Sequence, residues 1–246
     1  MLDYNTYKYN FVDFLIESGK YVGVIILVSY FFYRSIWVFV TLLATLPIFL
    51  KHQKKELISK RKQKLSNQFC YLLESINANV RAGYAVENAF MEAYTDMVSL
   101  FGGNALICQE LIVIKKGLSI NVSLEKLVKD LGKRSDIEEI VIFSKVFEAA
   151  KRNGGNMSEV LERTSSAIRT AREVEKEIEV LISQKKFELL IMEAVPFLLI
   201  GYIEATSKGY FDILYHNTRG ILFMTVCLVI YIVAVFWGSK LIKINV

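Results

Sequence analysis

Proline, histidine and cysteine are scarce in this chain of 246 residues, with two, two and three copies respectively. The two histidines, His52 and His216, exclude an HExxH zinc site and argue against a histidine-centred triad. Cys70, Cys108 and Cys227 lie far apart and are odd in number, so they supply neither a disulfide framework nor a CxxC knuckle; free thiols are expected. No GxxxxGK[ST] loop and no GxSxG elbow occurs, which removes the local signatures of ATP hydrolysis and serine hydrolysis. The N-terminus lacks the basic, apolar, small-residue order of a cleaved signal peptide. The expectation is a non-enzymatic chain with no cofactor and no metal.

What is present is apolar. Hydrophobic residues make up 53% of the chain and the mean hydropathy is +0.35, unusual for a soluble globule of this size. The net charge of +5 is not spread evenly. Residues 51–64 hold seven basic residues (Lys51, Lys54, Lys55, Lys60, Arg61, Lys62 and Lys64) and one acidic, leaving 23 basic and 24 acidic residues, a net charge of −1, elsewhere. One local belt excludes a basic nucleic-acid-binding surface spread over a domain and points to anchoring beside anionic headgroups.

Four apolar stretches punctuate the chain: residues 21–33, 36–50, 189–205 and 221–238. The last carries no charge and approaches the ~20 residues that a bilayer core requires. Read as one helix, residues 21–50 would place Arg34 near the bilayer centre, at an insertion cost of roughly 2.5–3.5 kcal/mol. A hairpin, with helices at about 14–33 and 36–50, puts Arg34 at a headgroup surface and is preferred. Lys and Arg flanking spanning segments stay on the cytoplasmic side. The belt therefore predicts both termini inside, and the Arg34 turn and residues 206–220 outside. The expected domains are an N-terminal membrane hairpin (1–50), the basic belt (51–64), a cytoplasmic all-helical domain (65–186) and a C-terminal membrane hairpin (187–246, with spans at about 187–205 and 221–238).

The cytoplasmic part reads as all helix. Phe69, Leu72, Leu73, Ile76 and Val80 share one helical face. Val86, Phe90, Ala93 and Tyr94 open a second helix; Leu106, Leu111 and Ile114 mark a third, and Leu124, Leu127, Val128 and Leu131 a fourth. The glycines, including Gly83, Gly117, Gly132, Gly154 and Gly155, are expected between these segments. Ser135-Asp-Ile-Glu138 fits a capping box, and Asn156-Met-Ser-Glu159 a looser one. From Asn156 the pattern runs unbroken to Lys186, predicting a connector helix of roughly 45 Å. The fold class is thus all-α: a polytopic membrane protein with an inserted cytoplasmic bundle of about six helices and a long connector.

Candidate chemistry is thin. Gly154-Gly155-Asn156 reads as a plain interhelix turn rather than an anion site. The Glu173, Glu175, Glu177, Glu179 run alternates faces and reads as solvated helix. Glu193 and Glu204, eleven positions apart, fall about 20° apart around a helix, beside Pro196. They read either as an intramembrane functional pair or as carboxylates reaching opposite interfaces.

Three local matches carry a family resemblance. Asn79-Val-Arg-Ala-Gly-Tyr-Ala-Val-Glu-Asn-Ala-Phe90 resembles a "RAG, then Ala-rich helix" turn. Lys116-Gly-Leu-Ser119 followed by Ser123-Leu-Glu-Lys-Leu127 resembles a "G-x-S, then Leu-Glu-x-Leu" step, with a longer Ile-Asn-Val linker. Phe147-Glu-Ala-Ala-Lys-Arg-Asn-Gly-Gly-Asn-Met-Ser-Glu-Val-Leu161 resembles a Gly-Gly-Asn turn leading into "EVLE". In that order, residues 65–186 resemble the type II secretion F domain, and residues 36–246 the tight-adherence branch of inner-membrane platform proteins of Flp-type pili.

The resemblance implies a scaffold that couples a hexameric cytoplasmic ATPase to pilin extraction and filament assembly. The partners it implies are that ATPase, pilin subunits, the lipid bilayer, and a related platform protein or a second copy. It gives as candidate ATPase contacts Gly83, Gly117, Asp136, Glu138, Arg152, Gly154, Gly155, Asn156, Glu159 and Arg163. Glu193, Pro196 and Glu204 are the candidate membrane-coupling residues. The alternative is a transporter or channel subunit, which would want polar groups from several membrane helices.

Overall fold

The structure is a computed structural model that describes residues 4, 11–33, 39, 43, 46–153, 157–207, 209–215 and 217–242. It is all-helical, with no strand among the described residues. The helices are α1 (Phe11–Val28), continued by a π-helical segment (Ser29–Tyr33), then α2 (Leu46–Arg81), α3 (Val86–Phe101), α4 (Leu106–Ser119), α5 (Leu124–Ser135), α6 (Glu138–Asn153), α7 (Met157–Thr206), the single turn α8 (Asp212–Tyr215) and α9 (Thr218–Ile242). Whether residues 21–50 form one span or two lies outside the described residues.

The chain divides into two compact units. The first comprises Lys54–Val174 with Tyr4; the second, the described residues of Tyr9–Gln53 and Glu175–Val246. The boundaries at residues 53/54 and 174/175 fall inside helices, in α2 and α7.

The first unit is a bundle of α2 to α6 with the beginning of α7. Its core collects the periodic apolar positions: Leu65, Phe69, Leu72 and Ile76 from α2, Phe90 and Met97 from α3, Ile107 and Ile114 from α4, Leu131 from α5, Ile140, Phe143 and Phe147 from α6, and Leu161 and Ile168 from α7. Phe143 stacks on Phe147 at 5.6 Å between centroids, while Phe69 meets Phe143 edge-on at 5.5 Å and Phe90 meets Phe147 at 6.2 Å. Aromatic pairs of this kind add about 0.5–1.5 kcal/mol beyond area burial. Gln68, itself buried, accepts the Ile107 N–H at 3.1 Å, satisfying an orphan donor in the first turn of α4 where Ala105 offers no capping side chain.

Three sequence expectations need correction here. Gly117 and Gly132 lie inside α4 and α5 and are buried, not between helices. A Cβ on Gly117 would sit 2.4 Å from Leu127 Cδ2, so a larger residue there would require the Leu127 side chain to shift. Ser135 does not cap α6: it is the last residue of α5, fully buried, with its hydroxyl donating to the Gly132 carbonyl at 3.3 Å. Asp136 instead closes α5 in the left-handed conformation (φ 50), a geometry that Asp tolerates. The connector also outruns its expected length, because α7 passes residue 186 without a break and continues through Pro196 to Thr206.

The second unit contains α1 with its π-helical segment, the C-terminal part of α7, α8 and α9. Among the described residues, two helices are long and apolar enough to cross a membrane, α7 and residues 219–241 of α9. Their apolar side chains are largely exposed, among them Leu190, Leu198, Phe223, Ile230 and Trp237. A small core forms where Phe32, Met224 and Leu228 pack with Phe197, Leu214 and Tyr215.

Candidate functional site

The bundle has two chemically distinct ends, and the antiparallel run of its helices decides which residues share one. At the first end, α2 stops, α3 starts, α4 hands over to α5, and α6 hands over to α7. Ion pairs cross it: Arg81 with Glu162, and Lys151 with both Glu87 (2.6 Å) and Glu125 (2.9 Å). At the second end, α3 hands over to α4 and α5 to α6, and a different network gathers.

That second network was not anticipated from sequence. Glu110 of α4 is 2% exposed. Arg134 of α5 grips it with two nitrogens, at 3.0 Å to Oε1 and 2.7 Å to Oε2, and also reaches Asp130 at 2.6 Å. Tyr4, fully buried, donates its hydroxyl to Glu110 Oε1 at 2.8 Å, and its backbone N–H donates to the Arg134 carbonyl at 3.4 Å. Arg61 lies over the Tyr4 ring at 5.1 Å, a cation–π contact. Burial, joined by the charge of Glu110, holds the Tyr4 hydroxyl well above the usual phenol range, so it stays a donor. Hydrogen bonds to Glu110 raise the Arg134 guanidinium above its ordinary value against the opposing effect of burial. A sequence signal existed: Glu110 occupies the i+3 position of the apolar face Ile107, Leu111, Ile114.

The candidate contact residues are split between the two ends. Gly83 (φ 95, exposed), Arg152, Glu159 and Arg163 belong to the first end, with Glu159 and Arg163 paired at 2.7 Å along α7. Asp136 and Glu138 belong to the second, where Asp136 pairs with Lys62 at 3.0 Å. They do not join the others, because α5 and α6 meet at the end opposite Gly83. Gly117 is buried and offers no surface. Gly154, Gly155 and Asn156 lie outside the described residues. Sequence reasoning missed two apolar side chains at the first end: Tyr84 in the α2–α3 turn (48% exposed) and Ile120 in the α4–α5 turn (72% exposed).

The basic belt is helical throughout, inside α2. Lys54, Lys55, Lys60 and Lys64 are exposed, while Arg61 and Lys62 are partly buried in the contacts above; the side chain of Lys51 lies outside the described residues. Glu193 and Glu204 share α7 but are separated by about 16 Å of helix rise, so their carboxylates form no common site. The Glu193 carbonyl accepts the Tyr231 hydroxyl at 2.9 Å. No group of three or more His, Cys, Asp and Glu suited to a metal occurs among the described residues.

Lys151 links α3, α5 and α6, and its pairs carry a pH signature. Its hydrogen bond lowers the Glu87 carboxyl below the ordinary 4.5. At Glu125, burial works upward and is outweighed by the bonds from Lys151, from the backbone and from Ser123. Lys151 itself rises above 10.5 because the two carboxylates outweigh its burial. Carboxylates with depressed folded values bind fewer protons folded than unfolded, so their contribution is present above pH 4.5 and lost as pH falls below it. Lys151→Met is therefore expected to lose about 1 kcal/mol, after solvent screening of these partly exposed groups. In denaturant titrations that deficit should be constant between about pH 6 and 8 and shrink below about 4.5.

Comparison with known proteins gives no match to any family model, to any curated protein or to any solved structure.

Proposed function

We propose that this chain is an inner-membrane platform protein of a type IV, tight-adherence-like pilus or of a type II secretion machine, coupling a cytoplasmic hexameric ATPase to pilin extraction and filament assembly. The observation that carries this reading is α7. It is one continuous helix of 50 residues, about 75 Å by rise, whose first turns are cemented into the bundle by Leu161, Ser165 and Ile168 and whose last turns are apolar enough to cross a membrane. A helix of that construction transmits displacement from a soluble body to a bilayer.

Tyr4 supports the topology. It is buried in the same unit as Lys54–Val174, which supports a path between them that begins and ends on one side of the membrane. In this reading the crossings between them are even in number, as in the hairpin that the basic belt also favours. Both termini and the bundle then face the cytoplasm, and residues 206–220 the far side.

The ATPase docks on the bundle end remote from the belt, where Tyr84 and Ile120 stand exposed among the ion pairs of Lys151 and Arg81. Aromatic and aliphatic anchors within a charged rim are the usual make-up of a docking surface. The test is binding of the hexameric secretion ATPase from the same cell to the full chain in lipid nanodiscs. Ile120→Ser with Tyr84→Ser should weaken it by about tenfold or more, while Lys133→Glu at the opposite end should leave it unchanged. Unaltered binding of the double variant, or ion flux through the reconstituted protein alone, would count against the platform reading.

A further inference from the structure

Two helices of the second unit break their regular backbone ladder, and the breaks answer each other. In α7, Pro196 has no N–H to give the Met192 carbonyl, and its ring crowds that carbonyl. In the N-terminal helix, the ladder slips to π geometry over Ser29–Tyr33. Proline and π-segments are both established seats of helix bending. In an apolar surrounding, backbone carbonyls loosened at such points require other donors.

Each break has a tyrosine hydroxyl delivered by another element. Tyr231 of α9 donates to the Glu193 carbonyl, next to the one orphaned by Pro196, at 2.9 Å. Tyr215 of α8 donates to the Phe31 carbonyl, inside the π-segment, at 2.7 Å. Phe197, the residue following the proline, sits between the two. Its ring meets Phe31 at 5.9 Å, Phe32 at 6.0 Å and Tyr231 at 5.6 Å, all edge-on. Gly201, one turn further, also faces the Phe31 ring.

We propose that Pro196 and Ser29–Tyr33 are paired hinges, each held closed by a tyrosine latch and coupled through Phe197, so that bending α7 at Pro196 requires the π-segment to move with it. The device needs no assumption about a filament or an ATPase. It works by exchanging a tyrosine–carbonyl bond for a bent helix, and the aromatic contacts carry the change from one helix to the other.

Amide hydrogen exchange on the full chain in lipid nanodiscs tests it. Tyr231→Phe keeps the ring against Phe197 and removes only the hydroxyl. Deuterium uptake over residues 192–201 should rise about fivefold, the equivalent of one neutral hydrogen bond. Pro196→Ala restores the ladder bond to the Met192 carbonyl and removes the hinge, so Tyr231→Phe placed on that background should change uptake little. Tyr215→Phe should raise uptake over residues 29–33 and also over residues 192–201. The proposal is overturned if Tyr231→Phe is silent, if it acts equally with and without Pro196, or if the effect of Tyr215→Phe stops at residues 29–33. Helix content by circular dichroism shows that each variant is folded.

Discussion

Arg134→Ala is expected to destabilise the bundle by about 3–5 kcal/mol, because it strands the buried Glu110 carboxylate without its cation. The Tyr4 hydroxyl alone cannot compensate a charge at 2% exposure. The loss should appear as a lower denaturant midpoint with an unchanged slope. The double substitution Glu110→Leu with Arg134→Met should recover most of it, since replacing both partners of a buried pair by apolar groups is often neutral or better. Failure of that recovery would mean that the pair is net stabilising rather than merely costly to break. The variant has a second consequence, because Tyr4 loses its anchor when Glu110 and Arg134 part. Protease sensitivity near the N-terminus should rise in parallel with the loss of stability.

The second large effect is expected at Ala171→Pro. Ala171 is exposed on α7, past the last buried residue of the bundle, Ile168, so no core contact is removed. Proline there deletes one helical hydrogen bond and clashes with the preceding turn, at about 3 kcal/mol or more. If α7 carries motion between the ATPase-facing bundle and the membrane, filament assembly should fall to background while the amount of protein in the membrane is unchanged. Ala171→Ser, which keeps the helix, should behave as the parent. Normal filaments with Ala171→Pro would remove α7 from the coupling path.

The helical bundle was largely legible in the sequence because helical burial follows a local period. Spacing alone puts Phe69, Leu72, Leu73, Ile76 and Val80 on one face; the first four are buried, and Val80 packs against the same core while partly exposed. What escaped was set by partners distant in the chain. Tyr4 lies 106 residues from the Glu110 that it bonds, and no local pattern distinguishes it from its neighbours. Gly117 reads as punctuation because glycine usually ends a helix, whereas here it lies buried inside one, with the Leu127 side chain packed over it. Ser135 matched a capping box letter for letter, but the left-handed Asp136 had already closed the preceding helix. The division of the contact residues between two bundle ends follows from helix direction, which periodicity does not reveal. Tyr84 and Ile120 were passed over for a related reason: an apolar residue in a turn is visible only once the turn is known to face outward.

The proposed topology puts the N-terminus and the bundle on one side of the membrane, and thiol labelling reads that directly. In a chain whose Cys70, Cys108 and Cys227 are replaced by Ala, single cysteines at Asn5, Ser166 and Ser207 would be challenged with a membrane-impermeant maleimide in intact cells. The account predicts labelling at Ser207→Cys and protection of both Asn5→Cys and Ser166→Cys until the membrane is opened. Labelling of Asn5→Cys while Ser166→Cys stays protected would contradict it, placing an odd number of crossings between Tyr4 and the bundle.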